Sequence, residues 1–202
     1  MTCRTAKLAS SDLVRPGEPD LTVRVNKPLI RKMSNLHICP LADLENVIET
    51  TRASHLVSLL TKGTPTNRPG SIAAANHLEI SVSDIVEPLE GHILADAEHV
   101  APLIAFVRAW PRTAPLVIHC WAGISRSTAA AFITACALAP HRDEMSIALA
   151  LRAASPMATP NRRIVEIADG LLEREGRMVA AIRSIGRGAE ASCGIPFILP
   201  ME

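Results

Sequence analysis

The chain has 202 residues, 48% of them apolar, and a formal net charge of +1. That length and composition suffice for one well-buried core with short extensions, and the near-neutral charge excludes a surface built to draw in nucleic acid or an anionic membrane by charge. With two tryptophans, three phenylalanines and no tyrosine, aromatic stacking has little part in recognition, and no apolar stretch reaches the roughly 18 residues that span a bilayer. Five cysteines (Cys3, Cys39, Cys120, Cys136 and Cys193) are scattered without a paired framework, which fits a reducing cytoplasm.

Residues 1–34 are basic, hold three prolines and lack periodicity, so they are expected to form a flexible N-terminal tail; without a continuous apolar core they make a poor secretory signal. Met33, just before the first strand, is an alternative start for the functional chain. Residues 35–39 read as a strand, and 41–52 as a helix with Leu44, Val47 and Ile48 on one face. Residues 54–60 form a second, very apolar strand that belongs inside a sheet. The stretch 62–70, rich in Gly, Pro and Thr, is a loop, and 77–82 alternates as a third strand.

A helix is expected over 96–110, with Val100, Leu103, Ile104 and Val107 at core spacing, Asp96 at its cap and regular hydrogen bonding confined to one side of Pro102. The β-branched run 116–118 is a buried strand, and an alanine-rich helix follows to residue 139. Further helices cover 143–154 and, as one or two pieces, 161–185, with Ile164, Ile167, Leu171 and Leu172 inward and Asn161 as a cap. The main domain is expected to span 35–188; residues 189–202 are an apolar tail that packs on its own domain or on a partner. This alternation implies an α/β fold, with a mainly parallel central sheet of four to five strands flanked by helices on both faces.

The chemistry concentrates between the buried strand and the alanine-rich helix, in His119-Cys120-Trp121-Ala122-Gly123-Ile124-Ser125-Arg126-Ser127. A loop that turns from a strand into a helix can aim several backbone N–H groups at one point, and the helix dipole favours negative charge there, whether a phosphate or a thiolate. Cys120 is thus a candidate nucleophile, and Gly123 permits backbone angles and close approaches that a side chain forbids. Arg126 offers a planar fork of donors to two phosphoryl oxygens, and the Ser127 hydroxyl can assist the sulfur as leaving group. A second Cys-x5-Arg match, starting at Cys136, lies inside a helix, lacks a glycine and contains a proline; it is a chance occurrence.

This stretch resembles the signature of the cysteine-based protein tyrosine phosphatases, and with Pro160-Asn161-Arg162-Arg163 downstream it is similar to a small bacterial, dual-specificity-like branch of them. The resemblance covers roughly residues 35–188. It implies attack by Cys120 through a phosphocysteine, anion binding by residues 121–126 (Trp121, Ala122, Gly123, Ile124, Ser125 and Arg126), and a supporting role for His119, which fixes the loop. It also implies a general acid on a separate loop. Asp84, just after the third strand, is the candidate, with Glu87 and Asp96 as rivals. Trp110-Pro111-Arg112 resembles the Trp-Pro-Asp loop of some members but has arginine in place of the acid. Arg162 and Arg163 either support the anion loop or are merely a solvated helix start.

No cofactor or metal is called for, and the partner is a phosphotyrosine-containing protein or another small phosphomonoester. Members acting on inositol phosphates commonly carry lysines between the cysteine and the arginine, whereas Trp121, Ala122, Ile124 and Ser125 are neutral. Two other readings stay open: a catalytically weak phosphate-binding regulatory module, and a sulfur-handling or arsenate-reducing enzyme. The last needs a resolving cysteine near Cys120.

Overall fold

A computed structural model describes residues 35–201, so the expected N-terminal tail lies outside the described residues. In chain order the elements are β1 (Leu36–Pro40), a 3-10 turn (Leu41–Asp43), α1 (Leu44–Thr51), β2 (His55–Leu60), a second 3-10 turn (Ala74–Asn76) and β3 (His77–Ser81). There follow α2 (Ala97–Ala109), β4 (Leu116–Cys120), α3 (Arg126–Leu138), α4 (Glu144–Ala154), α5 (Arg162–Leu171), α6 (Arg177–Ile185) and β5 (Phe197–Leu199). The sheet has the order β3-β2-β4-β1-β5; its first four strands are parallel and β5 runs antiparallel at the edge of β1. The chain is α/β with a mainly parallel five-stranded sheet and helices on both faces.

The two faces are unequal. Cys39, Leu56 and Val117 point to one side, where α1 covers them with Leu44, Val47 and Ile48, and Ile72 closes the same cluster. Leu36, Ile38, Val57, Leu59, Leu116 and Ile118 point to the other, where they meet α2 through α6. The period-2 alternation of each strand thus sorts its apolar residues into two cores. In α3 every residue from Arg126 to Ala137 is buried, and its alanines are small enough to let the backbone lie against the sheet with helices on its other sides.

Some expectations hold and others need correction. The first turn of the 41–52 segment is 3-10, and Arg52 ends α1 in the left-handed conformation at φ 54°. The helix of 97–109 runs through Pro102: one missing N–H is outweighed by the buried face of Val100, Leu103, Ile104 and Val107. Asp96 caps that helix, accepting from the Glu98 N–H at 3.0 Å. The 161–185 segment is two helices, and Leu171 faces outward at 43% exposure, while Asp169 is buried instead.

Asp169 explains the break. Its carboxylate accepts from the N–H groups of Gly176 (2.6 Å), Met178 (2.7 Å) and Val179 (3.1 Å), so a side chain of α5 caps the start of α6. Of the two places expected for the apolar chain end, it packs on its own domain: Phe197 pairs with Ile38 and Leu199 with Leu36 in the sheet. No helix among the described residues is long and apolar enough to cross a membrane. Asp169→Ala leaves three donors at the α6 N-terminus, one of them buried, without their acceptor, and urea unfolding is expected to register a loss of about 1–3 kcal/mol.

Candidate active site

β4 ends at Cys120 and α3 begins at Arg126, so the five residues between them turn at the carboxyl end of the central strand. The turn is held by its carbonyls. Trp121 O accepts from Leu41 N–H (3.1 Å), Ala122 O from Gly194 N–H (2.7 Å), Ile124 O from Thr159 N–H (2.9 Å), and Ser125 O from Ala129 N–H (3.0 Å) and Asn161 N–H (3.3 Å). The Thr128 hydroxyl adds bonds to Ile124 O and Ser125 O. In a trans peptide the N–H points opposite to the preceding C=O, so carbonyls turned outward aim the amides of Ala122, Gly123, Ser125 and Arg126 inward. One of these, the Gly123 N–H, donates to Cys120 Sγ at 3.2 Å.

Gly123 is obligatory on two counts. Its φ is +71°, and a Cβ there would lie 2.7 Å from Pro40 N and 2.9 Å from the Cys39 carbonyl carbon. The loop is therefore pressed onto the end of β1, whose Pro40 stands beside Cys120 in register.

Cys120 sits at the floor of the turn, 1% exposed, with Ser127 Oγ 3.2 Å from its sulfur. Arg126 is also buried, at 6% exposure. One end of its guanidinium is anchored, Nη1 donating to Val82 O (2.9 Å) and Thr61 Oγ1 (3.3 Å). Its Nε has no hydrogen-bond partner among the described residues; the nearest charge is Asp84 Oδ2 at 3.8 Å. A buried cation with an unused donor is suited to an anionic partner.

Asp84 follows β3 and reaches this turn from the side. Its Oδ1 accepts from the Ser125 hydroxyl (2.7 Å) and from Asn161 Nδ2 (2.8 Å). Asn161 was expected only as a helix cap; it does cap α5, accepting from the Ile164 N–H at 3.2 Å, but it also holds Asp84 and donates to Ile85 O. Of the rivals, Asp96 caps α2 and meets His99, while Glu87 lines the same open groove as Asp84, Ser125 and Asn161. Arg163 donates to Ala95 O, and Arg162 is exposed. Trp110 is a buried residue ending α2. Within the turn, Trp121 is 62% exposed, so its backbone rather than its ring belongs to the cradle.

His119 is fully buried, with Nε2 2.7 Å from Ser58 Oγ, which is also 2.8 Å from His77 Nε2. Burial, reinforced by the nearby His77 and Arg126, pushes the His119 imidazole down to about 4. It is neutral at pH 7. Burial likewise raises the thiols of Cys39 and Cys136 to about 12, helped by Asp43 and Cys120 for the first and by Glu144 for the second. Such thiols are weak resolving groups, and Cys193 is exposed.

No family model matches the sequence, and no curated protein matches it. Solved structures do. The Cydia pomonella PTP-2 phosphatase superposes at TM-score 0.53 with 17% identity, over 68% of this chain and 89% of its own. Human DUSP28 gives 0.53 at 17% identity, over 69% and 92%. The chain has the fold of the cysteine-based protein tyrosine phosphatases. PTPMT1 in complex with PI(5)P shares this phosphatase fold at TM-score 0.54 and 10% identity, over 76% and 96%. Within that fold, the groups brought together are Cys120, Gly123, Ser125, Arg126, Ser127 and Asp84, with Asn161 added by the structure. Side-chain amides that serve two elements leave no periodic signal, and only the helix-start position of Asn161 was visible in the sequence.

The low value of His119 carries a pH consequence. Because the unfolded imidazole protonates near its ordinary 6.5 and the folded one near 4, the unfolded chain binds more protons between those values. Stability from this group is complete above about pH 6.5 and declines by roughly 3 kcal/mol on acidification to pH 4. Melting temperatures measured across that window should fall for the wild type and fall less for His119→Asn.

Proposed function

We propose that the chain is a phosphomonoester hydrolase, a protein tyrosine or dual-specificity phosphatase that works through a phosphocysteine intermediate. The observation that supports this most is the convergence, at one inward-facing turn, of a thiol, a buried guanidinium with an unused donor and a carboxylate from a separate loop.

On this reading the ester's phosphoryl oxygens occupy the amides of residues 121–126 and the free side of Arg126. Cys120 Sγ, as thiolate, attacks phosphorus in line with the leaving oxygen, which takes a proton from Asp84 as the P–O bond breaks. The amides and the guanidinium stabilise the charge on the transferring group. Asp84, now a carboxylate, takes a proton from water that attacks the phosphocysteine, and the sulfur leaves as thiolate with Ser127 Oγ donating to it. Asn161 and Ser125 hold the carboxylate where both steps need it.

The neutral residues between Cys120 and Arg126 fit a singly phosphorylated group better than a polyphosphorylated one. We therefore favour phosphotyrosine-containing proteins over phosphoinositides, although PTPMT1 was crystallised with PI(5)P. A phosphopeptide panel, with a phosphoinositide included, tests this choice: the expected result is turnover of phosphotyrosine peptides well above the lipid. Hydrolysis of the lipid alone would overturn the choice.

Cys120→Ser should abolish hydrolysis of an aryl phosphate while retaining tungstate or phosphate binding. Asp84→Asn should lower kcat by about 10²–10⁴-fold, most for substrates with poor leaving groups. Wild-type protein that binds tungstate yet does not hydrolyse an aryl phosphate would point to the regulatory phosphate-binding module instead.

A further inference from the structure

The end of the chain touches the anion loop at one atom. After α6, the Gly188 N–H donates to Thr159 Oγ1 (3.1 Å) and the Ala189 N–H to Pro156 O (2.9 Å). The chain then crosses the surface and the Gly194 N–H donates to Ala122 O (2.7 Å) before Phe197–Leu199 joins the sheet beside β1. Residues 189–196 are exposed except at Gly194, which is half-buried. Hydrophobic burial therefore does not account for the path of this stretch; its anchors lie on either side, with Leu199 fully buried and Met201 8% exposed.

Both contacts are close. A Cβ on Gly194 would stand 3.1 Å from Gly123 O and 3.2 Å from Ala122 O, a tight fit to which the loop would have to yield by a few tenths of an ångström. A Cβ on Gly188 would come within 2.6 Å of the Met157 carbonyl. The segment thus approaches backbone with backbone at each end, and at one end the backbone it meets is the anion loop.

The peptide between Ala122 and Gly123 is the one whose N–H donates to Cys120 Sγ. Its carbonyl must point away from the sulfur for that N–H to point toward it, and the Gly194 N–H is the donor that meets this carbonyl. The other donors to the loop carbonyls come from residues 41, 128, 129, 159 and 161; only this one is supplied by the C-terminal segment.

We propose that residues 188–199 are a strap that sets the phosphate-binding loop, with the Gly194 N–H as the positioning group that keeps the Ala122–Gly123 peptide turned toward Cys120. The proposal rests on the reading of this loop as the phosphate site. Without that N–H, the Ala122 carbonyl loses its partner and can rotate inward, where its oxygen repels both an anion and the sulfur. Anion affinity and Cys120 reactivity are then weakened together.

The test removes the N–H. Gly194→Pro does so in a recombinant chain, but it also adds a ring where even a Cβ is tight against Gly123 O and Ala122 O. A second version, in which the Gly194 amide is replaced by an ester through ligation of a synthetic segment at Cys193, does so without adding atoms. Tungstate affinity by calorimetry, the rate of Cys120 alkylation by iodoacetate at pH 7 (read at that site by mass spectrometry) and melting temperature are measured for each full-length protein.

The expected result is an affinity and alkylation rate lower by about three- to tenfold, the worth of one hydrogen bond, with aryl phosphate kcat/KM falling in step. Unchanged affinity and alkylation in the ester protein would overturn the proposal, whether or not its melting temperature drops, since the strap would then be only a cover. If the wild type binds tungstate but hydrolyses nothing, the phosphatase reading fails while binding and alkylation still decide the strap. If the wild type binds no tungstate, both fall.

Discussion

A short turn can offer its amides to an anion only if its carbonyls are held somewhere else. In this chain the holding is done by Leu41 after β1, Thr159 and Asn161 ahead of α5, Gly194 ahead of β5, and Thr128 and Ala129 inside α3. Between them they fix four peptide planes, those whose carbonyls belong to Trp121, Ala122, Ile124 and Ser125, and turn the segment into a cradle with its amides on one side. The sheet makes this possible. Parallel pairing of β1 with β4 sets Pro40 beside Cys120, so the turn after β1 lies against the turn after β4, and Gly123 lets the two backbones come together.

A row of polar groups crosses the α1 side of the sheet next to that cradle. Ser58 on β2 lies between His77 on β3 and His119 on β4, within hydrogen-bond distance of Nε2 on both rings. A hydroxyl has one proton to give, so one ring must receive it and the other must present its own N–H to the oxygen. The two histidines therefore cannot both have bare Nε2 atoms while the row is intact. Glu79 adds a carboxylate 3.3 Å from His77 Nδ1. The ring immediately before Cys120 is in this way oriented from the edge strand inward, and it supports the turn by position rather than by charge.

Much of the architecture was legible in the sequence because strands buried on both faces and helices with one apolar stripe carry strong periodic signals: β2, β4 and α2 lie within two residues of where 54–60, 116–118 and 96–110 put them. The cradle was legible for a different reason, since strand, glycine, arginine and helix start are local in sequence. What was hidden depended on contacts far apart in the chain. Asp169 could not be told from a surface residue of α5 without knowing that α6 turns back onto it. Leu171 was placed inward by spacing, but the 3.6-residue period carries it past the buried stripe of Ile164, Val165 and Ala168. The closing residues 197–199 read as an apolar tail because a three-residue strand has too few positions to show alternation.

Asp84 and Arg126 show how a buried cation can be compensated and still keep one donor uncommitted. Burying a guanidinium to 6% exposure is costly unless its charge is met, and Val82 O and Thr61 Oγ1 satisfy only one end of it. The remaining compensation comes from Asp84, 3.8 Å from Nε, itself steadied by Ser125 and Asn161. This pairing is too long to be a hydrogen bond and leaves Nε available. On the proposed mechanism a phosphoryl group takes over the role of counter-ion at closer range, while Ser125 and Asn161 keep the Asp84 carboxyl on the side of the turn where the leaving oxygen needs it.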